Sequence, residues 1–407
     1  MSDPTPPPVD EDTFRAEVRA WLAANAPAPP DFLLPQNMLA VATREQFDFL
    51  RAWQRRLYAT GYVGTEWPRE YGGRGLPRGA QRVVDQEMAR AHVPFLLNAI
   101  GLSWAGPTIL RFGTEAQKRR FIPPILAADE IWCQGFSEPG AGSDLASLRT
   151  RARRDGDDYV IDGHKVWTTL GHFADYMILL ARTDPDAEKH AGLSYFLAPV
   201  KIEGFTVQPL IKMTGEAGFN QVIISGARIP RDALLGREGQ GWEIAVTTLS
   251  FERGASEGSA GGAGGAGAAA DSVTHLVTMA RALVRDGRPL LDDPVVRDRV
   301  AACAVEEQAL RVSVLRSRVP GLVADRPLAL PLMRKLTSSE YVQRLADFAC
   351  ELQGYAGGLW VGEPTAVENA EWQRTYLNSH GVTIGGGTSE ILRNILGERV
   401  LGLPKSR

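Results

Sequence analysis

The run Trp132-Cys133-Gln134-Gly135-Phe136-Ser137-Glu138-Pro139-Gly140-Ala141-Gly142-Ser143-Asp144 combines residue types suited to holding a flat, polar small molecule. Its front end, Ile131 to Phe136, has the apolar and aromatic make-up of a short strand. Ser137 then opens a turn, Pro139 fixes φ, and Gly140 and Gly142 permit backbone conformations closed to other residues. A loop of this kind can turn backbone N–H groups and the Ser137 and Ser143 hydroxyls toward one ligand, although a plain connector after a strand has the same composition. Trp167-Thr168-Thr169 sets a large ring and two hydroxyls at a strand end, where a core tryptophan is the commoner outcome. Gly385-Gly386-Gly387-Thr388-Ser389-Glu390-Ile391 reads as a loop leading into a last helix capped by Thr388 or Ser389.

The elements around these stretches fall into three blocks. The first is helical. Phe14, Val18, Trp21 and Leu22 recur at helical spacing behind Asp10 and Asp12. Phe47, Leu50, Trp53 and Leu57 line one side of a second helix over Gln46–Tyr58. Further helical runs cover Ala80–Ala91 and Ala105–Phe112, and Thr114 is a good cap for Glu115–Ile122. From Ile131 the period changes. Tyr159-Val160-Ile161 and Lys165-Val166-Trp167 flank Asp162-Gly163, a hairpin signal. Tyr176–Ala181, Leu193–Ala198, Phe205–Pro209 and Gln221–Ile224 complete what reads as an antiparallel β-domain. Helices resume at Gly241–Phe251, Val296–Val314 and Leu332–Leu352. The Gly/Ala/Ser segment 258–270 reads as a flexible insertion, and its Ala content also allows a tightly packed helix. The fold class is therefore α+β, with expected domains 1–130 (helical), 131–240 (β) and 241–407 (helical).

Composition narrows the class. The 407 residues suffice for two or three domains, and a net charge of −3 gives no character of a nucleic-acid binder. Cys133, Cys303 and Cys350 are too far apart and too few for a disulfide framework or a zinc site, so no metal is expected and a reducing cytoplasm is the simplest setting. Met1–Glu11 is acidic and Pro-rich, without a basic-then-apolar leader pattern. No apolar run approaches the roughly 20 residues of a membrane helix.

The order Gln-x-Phe-Ser-Glu-Pro-x-Ala-Gly-Ser-Asp resembles the flavin-facing signature of the acyl-CoA dehydrogenase family. Lys165-Val166-Trp167-Thr168-Thr169 is similar to that family's second flavin motif, and Trp67-Pro68-Arg69-Glu70-Tyr71-Gly72-Gly73 to a loop near its start. The resemblance implies a three-domain fold ending in a four-helix bundle, and FAD as cofactor. It carries over Gln134, Phe136, Ser137, Gly142, Ser143, Trp167 and Thr169 as flavin contacts. Ser137 stands where Thr is usual but keeps the hydroxyl, and Ser143 also reaches the CoA part of the substrate. Thr388 and Glu390 approach FAD from the last loop, where Gly386 and Gly387 present N–H groups to the thioester carbonyl. Gln353-Gly354-Tyr355-Ala356-Gly357 resembles a segment that reaches a neighbouring subunit's FAD, which singles out Gln353 and Gly357.

Two departures matter. Many members carry a catalytic Glu where this chain has Gly386. Removal of a thioester α-proton needs a base within hydrogen-bond reach, and Ser250-Phe251-Glu252-Arg253 supplies one. Glu252 matches the base of the isovaleryl-CoA dehydrogenase subset, Arg253 matches a nearly universal Arg, and Ser250 and Arg253 are carried over as substrate contacts. The Arg-x-Thr-Phe-Gly motif that binds FAD pyrophosphate across a dimer is absent near Arg285-Asp286-Gly287-Arg288-Pro289. Arg285 or Arg288 replaces it, or a different partner chain does. The expected activity is α,β-dehydrogenation of an acyl-CoA or acyl-carrier thioester, with electrons passing to an electron-transfer flavoprotein. The chain is expected to act as a homo-oligomer or with a paralogous subunit. The alternatives are an oxidase or flavin monooxygenase on the same fold, and a non-catalytic subunit. A nitroalkane-type oxidase would place Asp at 386.

Overall fold

A computed structural model of the chain describes residues 10–252, 272–316, 319, 321, 326 and 329–405. Arg253 and the Gly/Ala-rich segment 258–270 lie outside the described residues. The chain divides into two compact units, Met1–Ala263 and Gly264–Arg407.

The first unit opens with five α-helices: α1 (Glu11–Asn25), α2 (Arg44–Ala59), α3 (Ala80–Arg90), α4 (Gly106–Phe112) and α5 (Glu115–Leu126). Their starts are fixed by side-chain caps. The Asp10 carboxylate accepts from the Thr13 N–H, and Thr43–Gln46 and Thr114–Gln117 form reciprocal capping boxes. A π-helical turn, Gly101–Ala105, leads directly into α4. Glycine is required at 106, where a Cβ would lie 2.2 Å from the Trp67 ring.

An eight-stranded sheet comes next, built from β1 (Trp132–Gly135), β2 (Arg151–Asp155), β3 (Asp158–Thr169), β4 (Tyr176–Arg182), β5 (Leu193–Pro199), β6 (Phe205–Leu210), β7 (Phe219–Pro230) and β8 (Leu234–Leu235). The strand order is β6-β7-β3-β2-β4-β5-β8, with β1 alongside β4. Most pairs are antiparallel as expected, but β1 and β2 both run parallel to β4, so the sheet is mixed.

The expected hairpin at Asp162-Gly163 is not there. Both residues lie inside β3, at a register shift opposite β7. The turn is instead Gly156-Asp157, with Gly156 at φ +64° as a two-residue hairpin requires. Gly163 serves close packing, since a Cβ would sit 2.2 Å from the Thr150 hydroxyl oxygen.

Alternation along β4 and β5 divides the apolar residues between two cores. Ile178, Leu180, Tyr195 and Leu197 join the helices, while Met177, Leu179, Phe196 and Ala198 pack with Tyr159, Ile161 and Val222. Helix α6 (Gly241–Glu252), at the head of the expected third domain, contributes Ile244 and Ala245 to the first of these cores.

The second unit contains α7 (Ser272–Ala282), the ribbon β9 (Val284–Arg285) and β10 (Arg288–Pro289), α8 (Pro294–Arg316), α9 (Ala329–Leu352), α10 (Glu371–Val382) and the short α11 (Ser389–Ile395). Leu276 and Met279 of α7, Val296 and Val300 of α8, Leu345 and Phe348 of α9, and Trp372 of α10 share one core. Among the described residues, no helix is long and apolar enough to cross a membrane. No cluster of His, Cys, Asp and Glu among them could hold a metal ion.

Candidate active site

In the first unit, two loops expected to face one ligand are pinned together. Glu138 and Ala141 exchange backbone hydrogen bonds of 3.0 and 3.1 Å, closing the loop into a tight turn. The Glu138 carboxylate is turned inward. It accepts from the Arg149 N–H (2.7 Å), the Thr150 N–H (2.9 Å), the Thr150 hydroxyl (2.6 Å) and Lys165 Nζ (2.9 Å). Lys165 is wholly buried and also donates to the Phe136 carbonyl at 3.1 Å. The neighbouring Val166 N–H donates to the Ser137 carbonyl at 2.9 Å. Burial pushes the Glu138 carboxyl up, but the Lys165 charge and the surrounding donors outweigh it and hold the group below its ordinary range. Burial pulls the Lys165 ammonium down, against the Glu138 charge.

Beyond this pin, β3 changes its facing. A register shift between Lys165 and Thr168 turns Trp167 out of the sheet at φ +62°, unfavourable for a bulky side chain. Its indole is 63% exposed, with one edge toward Phe219. Thr169 is nearly buried beside it, and Thr168 holds its carbonyl against the Asn220 amide at 2.9 Å. On β1, the Gln134 Nε2 atom is buried with no hydrogen-bond partner among the described residues. Phe136 is buried and meets the Tyr195 ring edge-on. Ser137 is half-buried, and Gly142 and Ser143 are exposed. Neither Gly140 nor Gly142 has a positive φ, contrary to the expectation from composition. They supply room instead: a Cβ on either would meet nothing within 4 Å.

Glu252 is the last residue of α6, half-buried, with its Oε2 atom shielded from solvent. The Ser250 hydroxyl donates to the Thr247 carbonyl of its own helix at 2.7 Å.

In the second unit, Gly386 and Gly387 take φ of +68° and +101°, and Lys335 Nζ donates to the Gly387 carbonyl at 2.7 Å. Thr388 caps α11 by accepting from the Ile391 N–H. Glu390 is exposed, its carboxyl held below the ordinary range by backbone and Thr388 donors. Gln353 faces inward: its Oε1 accepts from Gln373 Nε2 at 2.9 Å. Gly357 is required by contact with the Cys350 carbonyl, 2.4 Å from where a Cβ would lie. Arg285 and Arg288 flank an exposed turn in which Asp286 and Gly287 both have positive φ.

Residues 9–129, 133–226 and 239–401 match, in turn, the N-terminal, middle and C-terminal domains of acyl-CoA dehydrogenases. The chain belongs to the acyl-CoA dehydrogenase family. This dehydrogenase is 40% identical over 397 residues to the acyl-CoA dehydrogenase IpdE1 of Mycobacterium tuberculosis, covering 97% of this chain and 98% of that one. Among solved structures it resembles the Tcur3481-Tcur3483 steroid acyl-CoA dehydrogenase (TM-score 0.81, 31% identity, all of both chains). It also resembles the ChsE4-ChsE5 complex from Mycobacterium tuberculosis (TM-score 0.79, 28% identity, 100% of this chain and 99% of that one). Family members bind FAD. Residues of the dehydrogenase fit such a group: an outward indole, a buried amide nitrogen with no hydrogen-bond partner among the described residues, and two exposed loop glycines with open space beside them.

Motif order picks out Ser137, Trp167 and their neighbours but passes over Glu138, Thr150 and Lys165. Lys165 does carry a signal, being an ionisable residue in a strand at an inward position, where an unpaired charge is untenable.

Proposed function

We propose that this dehydrogenase holds FAD against the Ser137–Ser143 loop and Trp167, and that Glu252 takes the α-proton of an acyl-CoA thioester. Bound FAD supplies the two-electron acceptor for the β-hydride as the carbon–carbon double bond forms. The pin between Glu138 and Lys165 is the observation that supports this reading, because it ties the Ser137–Ser143 loop to the strand that carries Trp167. Ser137 and Thr169 offer hydroxyls to the ring edge, Ser143 to the substrate, and Ser250 and Arg253 lie on either side of the Phe251-Glu252 pair. The resemblance assigns Thr388 and Glu390 to an FAD, and the Gly386 and Gly387 N–H groups to polarising a thioester carbonyl. Electrons leave to an electron-transfer flavoprotein.

The test is anaerobic flavin bleaching with butyryl-, octanoyl-, isovaleryl- and lithocholoyl-CoA, the last because one similar structure is described as a steroid enzyme. Heat-released cofactor should elute as FAD. Glu252→Gln should slow bleaching by about 10²–10⁴-fold at unchanged FAD content. Bleaching of Glu252→Gln at the wild-type rate sinks the assignment. Rapid reoxidation by oxygen would favour an oxidase.

A second reading is a mixed assembly with a paralogous subunit. It is favoured by the absence of Arg-x-Thr-Phe-Gly around Arg285–Pro289 and by the paired chain names of two similar structures. In a homo-oligomer, Gln353 and Gly357 would instead serve the neighbouring FAD. A colourless chain that takes up FAD only with a second subunit would support the mixed assembly.

A further inference from the structure

Three buried hydroxyls join the π-turn, the sheet and α6. Thr108 of α4, Tyr195 of β5 and Thr248 of α6 are all fully buried. Thr108 Oγ1 donates to the Trp104 carbonyl at 2.6 Å and lies 3.0 Å from Thr248 Oγ1. Tyr195 Oη lies 3.1 Å from Thr248 Oγ1, which is also 2.9 Å from the Ile244 carbonyl.

Each hydroxyl has one proton to donate, so three protons are shared among four close contacts. The 2.6 Å contact engages the Thr108 proton. Thr248 donates either to the Ile244 carbonyl of its own helix, at 2.9 Å, or to Thr108, at 3.0 Å. In either arrangement Thr248 Oγ1 stays within hydrogen-bond reach of both Tyr195 and Thr108, in a chain of three buried hydroxyls that ends on the Trp104 carbonyl.

The place of Thr248 on its helix gives the chain its meaning. The buried residues of α6 are Gly241, Ile244, Ala245 and Thr248, so Thr248 is the last fully buried residue before the helix ends at Glu252. Residues four apart stack on one helical face. Tyr195 also meets Phe136, in the loop expected to hold the flavin, ring edge to ring. One aromatic residue thus touches the cofactor loop through its ring and the base-bearing helix through its hydroxyl.

We infer that Thr248, locked by Tyr195 and Thr108, is a positioning residue that fixes the rotation and axial setting of α6 and so aims Glu252 at the substrate α-carbon. This rests on Glu252 being the base. Apolar contact alone lets a helix slide or rotate slightly, whereas a directional hydrogen-bond chain fixes one setting.

The experiment compares Thr248→Val, Thr248→Ser, Tyr195→Phe and Glu252→Gln in the purified holoenzyme, with any co-purifying subunit retained. Flavin reduction is followed by rapid mixing with whichever of butyryl-, octanoyl-, isovaleryl- or lithocholoyl-CoA bleaches the wild type fastest. Misplacement of a reacting group by about 1 Å costs up to ~10²-fold. Thr248→Val and Tyr195→Phe should therefore lose roughly 10–10²-fold in reduction rate constant, with KM and FAD content unchanged, and Thr248→Ser should recover most of the rate. Wild-type rates in both variants overturn the inference, as does a rate loss that merely tracks lost FAD or folded protein. Tyr195→Phe keeps the test open if Thr248→Val does not fold. An active Glu252→Gln, or a wild type that no thioester reduces, removes the base assignment instead. A dead Glu252→Gln beside fully active Thr248→Val and Tyr195→Phe removes only the positioning role.

Discussion

Lys165 Nζ lies 2.9 Å from Glu138 Oε1 in the interior of the first unit, joining two motifs that stand apart in the sequence. Severing a buried pair on one side leaves the other charge stranded, at a cost of about 3–5 kcal/mol. Glu138→Gln is expected to melt roughly 6–20 °C below wild type, at about 2–4 °C per kcal/mol, and to lose FAD on gel filtration. Adding Lys165→Met should recover part of both, since two apolar or neutral partners strand no charge. Differential scanning calorimetry decides. A Glu138→Gln protein that melts with wild type would show that the pair holds nothing.

Trp167 is exposed and backbone-strained, so the fold gains little from it. Trp167→Ala should leave the melting temperature of cofactor-free protein near wild type. Losing ring-on-ring contact worth ~0.5–1.5 kcal/mol should weaken FAD binding roughly 2- to 10-fold by fluorescence titration. Unchanged FAD affinity would remove Trp167 from the site.

Gly163 has no space for a side chain against Thr150, whose hydroxyl and N–H both bind Glu138. Gly163→Ala should cost about 1–3 kcal/mol, as overpacking does, and should also weaken FAD retention. Thr150→Ala in the same chain should ease the clash only in part, because the Cβ of residue 150 stays 2.6 Å from the new methyl group, and it should not mend the FAD defect, because it also removes a Glu138 donor. Thermal melts and absorbance ratios read the two effects separately.

Glu87 is a pH sensor for stability. Hydrogen bonds from Arg19 oppose the effect of burial and, with Arg15, bring its carboxyl down from 4.5 to about 2. A carboxyl lowered on folding contributes stability at pH above its unfolded value, and that contribution is lost as pH falls through the folded one. Glu87→Gln should therefore melt below wild type at neutral pH, and the gap should narrow from about pH 4.5 toward pH 2. A gap of constant size across that window would contradict the linkage.

Local chemistry made most elements legible. Thr114 caps the helix it was expected to cap, and the strands from Tyr176 and Leu193 begin where the apolar runs begin. Failure came where one signal admits two uses. Asp162-Gly163 has the composition of a tight turn, but tertiary contact with Thr150 uses the glycine for close approach instead. The parallel placement of β1 beside β4 was invisible, because strand partners far apart in sequence leave no local mark. The site is legible through motif residues, whereas Glu138, Thr150 and Lys165 matter through contacts between distant positions. The inward turn of Gln353 toward Gln373 likewise depends on how two helices meet.

The outward indole has an optical consequence. Of nine tryptophans, Trp167 alone is exposed, the others being buried or partly covered. In cofactor-free protein it should dominate the red edge of the emission band. A flavin stacked on it would extinguish that edge by energy transfer while dimming the deeper indoles less. The chain therefore carries its own occupancy gauge, read without label or substrate.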